Sequence, residues 1–128
     1  TPGKEIAAAN LTAEPADLIL DALIGYSLRG APQGIVADLI RRANGACVPI
    51  LALDLPSGVD ATTGEAPGEF IRPRWTMTLA LPKSGLVPEK TGALFLADVG
   101  IPAEAYRRMG LTFPAPWGKR FWIPLMCR

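Results

Sequence analysis

Pro49-Ile50-Leu51-Ala52-Leu53-Asp54-Leu55-Pro56-Ser57-Gly58-Val59-Asp60 runs from an apolar stretch into a polar turn. The residues up to Leu53 show no apolar–polar alternation, the pattern of a strand covered on both faces, as in a parallel sheet. Pro56 removes a backbone donor and ends the strand, and Ser57-Gly58 permits a tight turn that exposes carbonyls. Ligands of open parallel sheets sit beyond the carboxyl ends of the strands, which is where Asp54 stands. Asp and Ser oxygens gathered there suit a hard cation or a ribose hydroxyl. They equally suit a turn whose own amides need acceptors.

Upstream, Asp17-Leu18-Ile19-Leu20-Asp21-Ala22-Leu23-Ile24 is a second dense apolar run, closed by Gly25. Between the two runs, Ile35, Val36, Leu39, Ile40 and Ala43 recur at helical spacing, and Asn44-Gly45 stops the helix. Strand, helix, strand is a βαβ unit with a right-handed crossover. Downstream, Asp54 to Arg74 is a Gly- and Pro-punctuated loop, of a length usually reserved for functional or disordered segments. Trp75–Leu81 and Ala93–Ala97 read as third and fourth strands, and Pro102 opens a short helix to about Met109. The expected fold class is α/β, a Rossmann-like three-layer parallel sheet. Residues 1–128 form one domain, with 1–15 a lead-in loop and 114–128 a Pro- and aromatic-rich tail that could dock as a strand around Phe121-Trp122-Ile123.

Composition narrows the function classes. A net charge of +1 and the lack of a basic run argue against nucleic acid or a membrane surface as partner. No apolar stretch reaches the roughly 18 residues needed to span a bilayer. The chain has no His, which excludes Ser-His-Asp and Cys-His chemistry within it and makes zinc unexpected. Cys47 and Cys127 match no metal or redox spacing and read as reduced thiols of a cytoplasmic protein, with a disulfide as the lesser alternative. The start at Thr1-Pro2-Gly3 suggests a trimmed chain or a piece of a longer one.

Four further features bear on chemistry. Asp21 lies near the end of the first strand, followed by the turn Gly25-Tyr26-Ser27-Leu28-Arg29-Gly30-Ala31. Amides of such a turn, with the nearby helix N-terminus, can hold an anion such as phosphate. Glycine in strand-to-helix turns is just as often a steric matter. Asp60-Ala61-Thr62-Thr63-Gly64 reads as a plain turn, Lys83 as either solvated or near an anionic ligand, and Trp75, Trp117 and Trp122 as packing groups.

Taken in order, Asp21-Ala22-Leu23-Ile24-Gly25, the Gly25–Ala31 turn, Ala52–Asp60 with Thr63-Gly64, Leu79-Ala80-Leu81-Pro82-Lys83 and Ala97-Asp98-Val99-Gly100-Ile101-Pro102 resemble the NAD(P)HX epimerase family, or YjeF N-terminal domain. The resemblance covers roughly residues 16–110. It implies a Rossmann-like fold that interconverts the R and S epimers of hydrated NADH and NADPH, with a dehydratase acting on the product. It places Asp21 and Ser57 at potassium-ligand positions. The turn Gly25, Tyr26, Ser27, Leu28, Arg29, Gly30, Ala31 and Asp54 fall at substrate-contacting positions, and Asp54 is the choice for the acid/base group. The family's earlier Gly-Asn-Asn-Gly-Gly-Asp-type loop has no counterpart here, so part of the sheet and one metal ligand are expected to be lacking. Residues 1–128 alone are then expected to turn over little, and an open sheet edge favours a homo-oligomer. Two alternatives stand beside this: a non-catalytic interaction module of the same fold, and a sugar-kinase-type nucleotide enzyme.

Overall fold

The structure, a computed structural model, describes residues 15–125. The lead-in 1–14 and Cys127 lie outside them; Cys47 is an exposed free thiol. The elements are β1 (Ile19–Asp21), α1 (Gly34–Gly45), β2 (Ile50–Leu53), β3 (Trp75–Leu79), α2 (Pro88–Thr91), β4 (Ala93–Ala97), α3 (Ala103–Arg108) and β5 (Trp122–Leu125).

Their spatial order is β1-β2-β3-β4-β5. The first four strands are parallel, and β5 pairs antiparallel with β4. The expected α/β fold and the docking of the tail as a strand both hold. The sheet is mixed rather than purely parallel, because the chain leaving β4 passes through α3 and comes back as β5 from the same end of the sheet. Pro124 sits opposite Phe95 in this edge strand, where its missing N–H is tolerated.

Two strands are shorter than their apolar runs. β1 keeps only three residues of Asp17–Ile24, since the chain past Asp21 turns toward Ser57. β3 ends at Leu79 instead of Leu81, because Ala80 takes φ 64° and breaks the extended path.

Helix α1 packs Ile40 and Ala43 onto Ile50 and Ile71, with Ile19 and Val36 alongside. Leu55, Ala61, Leu86 and Leu94 form a second cluster on the same side of the sheet. At the end of α1, Asn44 Nδ2 donates to the Phe70 carbonyl at 2.8 Å and its Oδ1 accepts the Arg72 amide at 2.9 Å. The helix stop thereby also fastens the far end of the long loop.

The expectation that the strands are covered on both faces is not met. Among the described residues, α1, α2 and the 54–74 loop all pack on one face. The other face presents Leu20 (58% exposed), Leu53 (37%) and Trp122 (51%). Leu18, Leu51, Trp75, Met77, Phe95 and Trp122 line a shallow apolar groove there. Trp122 meets Phe95 edge to face at 5.4 Å, and the Arg74 guanidinium lies 4.7 Å over the Trp75 ring. An uninterrupted apolar run signals that both faces avoid water, but it cannot supply the second layer.

Candidate functional site

The parallel register of β1 and β2 sets Asp21 beside Ala52, so the chain leaving β2 passes the end of β1. This brings Ser57 to Asp21. The Ser57 N–H donates to Asp21 Oδ2 at 2.8 Å, and its hydroxyl donates to Oδ1 at 2.6 Å. Oδ1 also accepts the Leu23 amide at 3.3 Å, while Ser57 Oγ accepts the Ile24 amide at 2.9 Å. Asp21 is 3% exposed and Ser57 is fully buried. A buried carboxylate without compensation would be costly, and these donors provide it.

The loop after β2 is an ordered, packed segment. Leu55 through Val59 are all buried. The Ile71 amide donates to the Ser57 carbonyl at 2.9 Å, which closes the loop on itself. Gly58 has φ 95°, and a side chain there would strike the Glu69 carbonyl. Only glycine combines that conformation with so close a backbone approach. Asp60-Ala61-Thr62-Thr63-Gly64 is a turn, as its sequence suggests. Asp60 Oδ1 accepts the Thr62 and Thr63 amides, each at 2.8 Å. The Thr63 amide first, then that of Thr62, hold the Asp60 carboxyl below its usual range.

Asp54 stands apart from the Asp21 corner. It has φ 72°, a region open to few residues besides Gly, Asn and Asp. Its amide donates to the Met77 carbonyl at 2.8 Å. Its Oδ1 accepts the Leu79 amide at 3.1 Å and the Lys83 ammonium at 2.6 Å. The structure therefore joins Asp21 with Ser57, and Asp54 with Lys83, as two neighbouring pairs at the carboxyl ends of β1, β2 and β3. Among the described residues no hydrogen bond joins Asp54 directly to Asp21. Lys83 is the group that its position in the sequence leaves undecided; the Asp54 carboxylate at the end of the neighbouring strand is what seats it, and no local pattern reveals that partner.

The turn Gly25–Ala31 is largely exposed, with Tyr26 protruding into solvent and Gly30 at φ 72°. Its amides carry no partner among the described residues, and the turn leads to α1, where Gln33, just ahead of the helix, makes no side-chain cap. It is tied to the Asp21 corner through the Ile24 amide. No group of three or more His, Cys, Asp or Glu side chains is placed to hold a metal among the described residues. A hard oxygen-binding cation would find Asp21 Oδ, Ser57 Oγ and the Ile24 carbonyl together, the last 3.4 Å from Ser57 Oγ. No helix in the described residues is long and apolar enough to cross a membrane.

A family model described as YjeF-related protein N-terminus matches residues 2–85. The chain belongs to that family. Among curated YjeF relatives, it is 52% identical over 116 residues to the NAD(P)H-hydrate epimerase of Dehalogenimonas lykanthroporepellens, covering 90% of this chain and 47% of that protein. It is 47% identical over 93 residues to the bifunctional NAD(P)H-hydrate repair enzyme Nnr of Moorella thermoacetica, covering 70% of this chain and 18% of the relative. The chain thus spans about half the length of the epimerase relative and less of the bifunctional one. The crystal structure of yeast ynu0 superposes with a TM-score of 0.62 at 24% identity, over 85% of this chain and 46% of the other, which shows the fold alone.

Proposed function

We propose that the chain carries one half of an NAD(P)HX epimerase site, acting on the R and S epimers of hydrated NADH and NADPH. The observation that carries this reading is the gathering of Asp21, Ser57 and Asp54 at the carboxyl ends of adjacent parallel strands, in a chain of the YjeF N-terminal family. Asp54 is the acid/base group. As a carboxylate it takes a proton from water closing onto the hydrated carbon, and as the acid it returns one when the carbon–oxygen bond opens. The open amides of Gly25–Ala31 with the start of α1 receive the phosphates. Asp21 and Ser57 contribute oxygens to a potassium ion, which would supply fixed positive charge beside the substrate.

The same proposal includes a cytoplasmic setting, a dehydratase acting on the product, and a second copy pairing along the open β1 edge. The two relatives' names, NAD(P)H-hydrate epimerase and bifunctional repair enzyme, support the substrate and the dehydratase.

Chromatography of R and S NADHX tests the reading. The whole protein carrying this site should equilibrate a single epimer faster with potassium than without. Unchanged rates in Asp54→Ala would remove Asp54 from the mechanism. Residues 1–128 alone are expected to bind NADHX with little turnover, and failure to bind would sink the reading for this chain. The bare apolar face favours a second reading, a non-catalytic interaction module; full retention of epimerisation chemistry in the whole protein would dismiss it.

A further inference from the structure

Lys83 lies just past the carboxyl end of β3, with 18% of its side chain exposed. Its ammonium faces three oxygens: Asp54 Oδ1 at 2.6 Å, Thr78 Oγ1 at 2.9 Å and the Leu79 carbonyl at 3.3 Å. A lysine has three N–H donors and no acceptor, so this seat engages all of them. None is left for a phosphate or another anionic ligand. The alternative of a freely solvated Lys is excluded by the same three contacts.

The seat acts unequally on the two oxygens of Asp54. Oδ1 accepts Lys83, the Leu79 amide at 3.1 Å and the Thr78 hydroxyl at 3.4 Å. Oδ2 has no donor among the described residues. The backbone beneath is pinned by the φ of 72° and by the bond from the Asp54 amide to Met77. One carboxylate oxygen is anchored, and the side chain as a whole keeps 26% of its surface open. Lys83 and the Leu79 amide thus tie β2 to β3 through Oδ1, which leaves Oδ2 unengaged.

We propose that Lys83 is the positioning residue of this site, holding Asp54 through Oδ1 and presenting Oδ2 to a hydroxyl of the hydrated nicotinamide nucleotide. The inference rests on the reading of Asp54 as the acid/base group. Lys83 stays on Oδ1, and the proton of the acid/base step moves at Oδ2. Thr78 is the hinge of the arrangement, accepting from Lys83 while its own hydrogen points to Asp54 Oδ1.

The test uses the chain itself, labelled with carbon-13 and nitrogen-15, and NADHX as the probe. In the free protein, NMR should show a coupling across the hydrogen bond from Lys83 Nζ to Asp54 Cγ; its absence would overturn the seat. Adding NADHX should move the Asp54 Cγ signal in the native chain and in Lys83→Arg. In Lys83→Met the affinity read from that signal should fall about ten-fold, the lower end of what a partner behind a binding group contributes. The Tyr26–Arg29 amides should still respond at the higher ligand concentration. Equal Asp54 response in Lys83→Met and the native chain would refute the positioning role. Thr78→Val removes an acceptor of Lys83 and a long donor contact to Asp54 Oδ1 without touching either charge, so it carries the comparison if Lys83→Met fails to fold; an unweakened response there would count against the proposal. If NADHX moves no signal in the native chain, the epimerase reading fails. The Lys83 seat is then judged on the coupling alone.

Discussion

On one face of the sheet, Ile50, Ala52, Thr76, Thr78 and Leu96 are buried; on the other, Leu20, Leu53 and Trp122 stand open to water, although both rows come from the same strands. The covered row includes hydroxyls and the bare row is wholly apolar. This reverses the usual sorting of polar and apolar side chains between core and surface. The covered hydroxyls are supported: Thr76 Oγ1 donates to the Thr91 carbonyl at 2.8 Å, and no buried side-chain polar atom in the described residues lacks a partner. The bare row has the composition of a core without its cover. The site occupies the strand ends, where both faces run out and side-chain oxygens from three strands converge.

The contrast between the faces predicts opposite responses to truncation. Leu96→Ala, at a position 1% exposed, should cost about 2–5 kcal/mol in urea unfolding. A loss as small as that of a surface change would mean that the covered face is not the main core. Gly58→Ala strains a backbone at φ 95° against the Glu69 carbonyl and should cost about 1–3 kcal/mol, read in the same way. If it proves neutral, the packed loop does not help to hold the covered face.

Ser57→Ala sharpens the comparison at the strand ends. It strips one donor from the buried Asp21 carboxylate and one acceptor from the Ile24 amide, for an expected loss of about 1–3 kcal/mol. Asp60 should titrate below the roughly 3.9 of a free Asp, as followed by carboxyl NMR. Because the folded value is the lower one, its stabilising effect is present above the unfolded value. It fades as pH falls through the folded one. Leu20→Ala, on the bare face, should change stability by no more than about 0.5 kcal/mol while lowering the fluorescence of a bound apolar dye. A large destabilisation there would show that the face is covered in solution.

Much of this was legible in one dimension. The βαβ order and the helix ending at Asn44-Gly45 follow from period, length and stop signals, while the Pro- and aromatic-rich tail offered a strand around Trp122 only as one option. So does the Asx turn at Asp60, whose acceptors and amides lie within three residues. The ends of β1 and β3 were not legible, because Leu23-Ile24 and Ala80-Leu81 are as apolar as the strands they follow. Their departure is dictated by contacts to Ser57 and by the φ of Ala80. Nor did the Asp54–Asp60 segment declare that it would be packed throughout, since Gly and Pro punctuate mobile and rigid loops alike.

The sequence by itself determined the first four strands and their parallel sense, α1, α3 and the family, since each is written in local periodicity or in short contiguous motifs; it did not give α2 or the antiparallel sense of β5. It also placed Asp21, Asp54 and Ser57 near strand ends. Tertiary structure alone decided which partner each would take: Ser57 for Asp21 across 36 residues, and Lys83 for Asp54 across 29. It alone decided which face of the sheet is covered. Those are contacts between distant positions, and a strand's own residues state only that they avoid water, never what will exclude it.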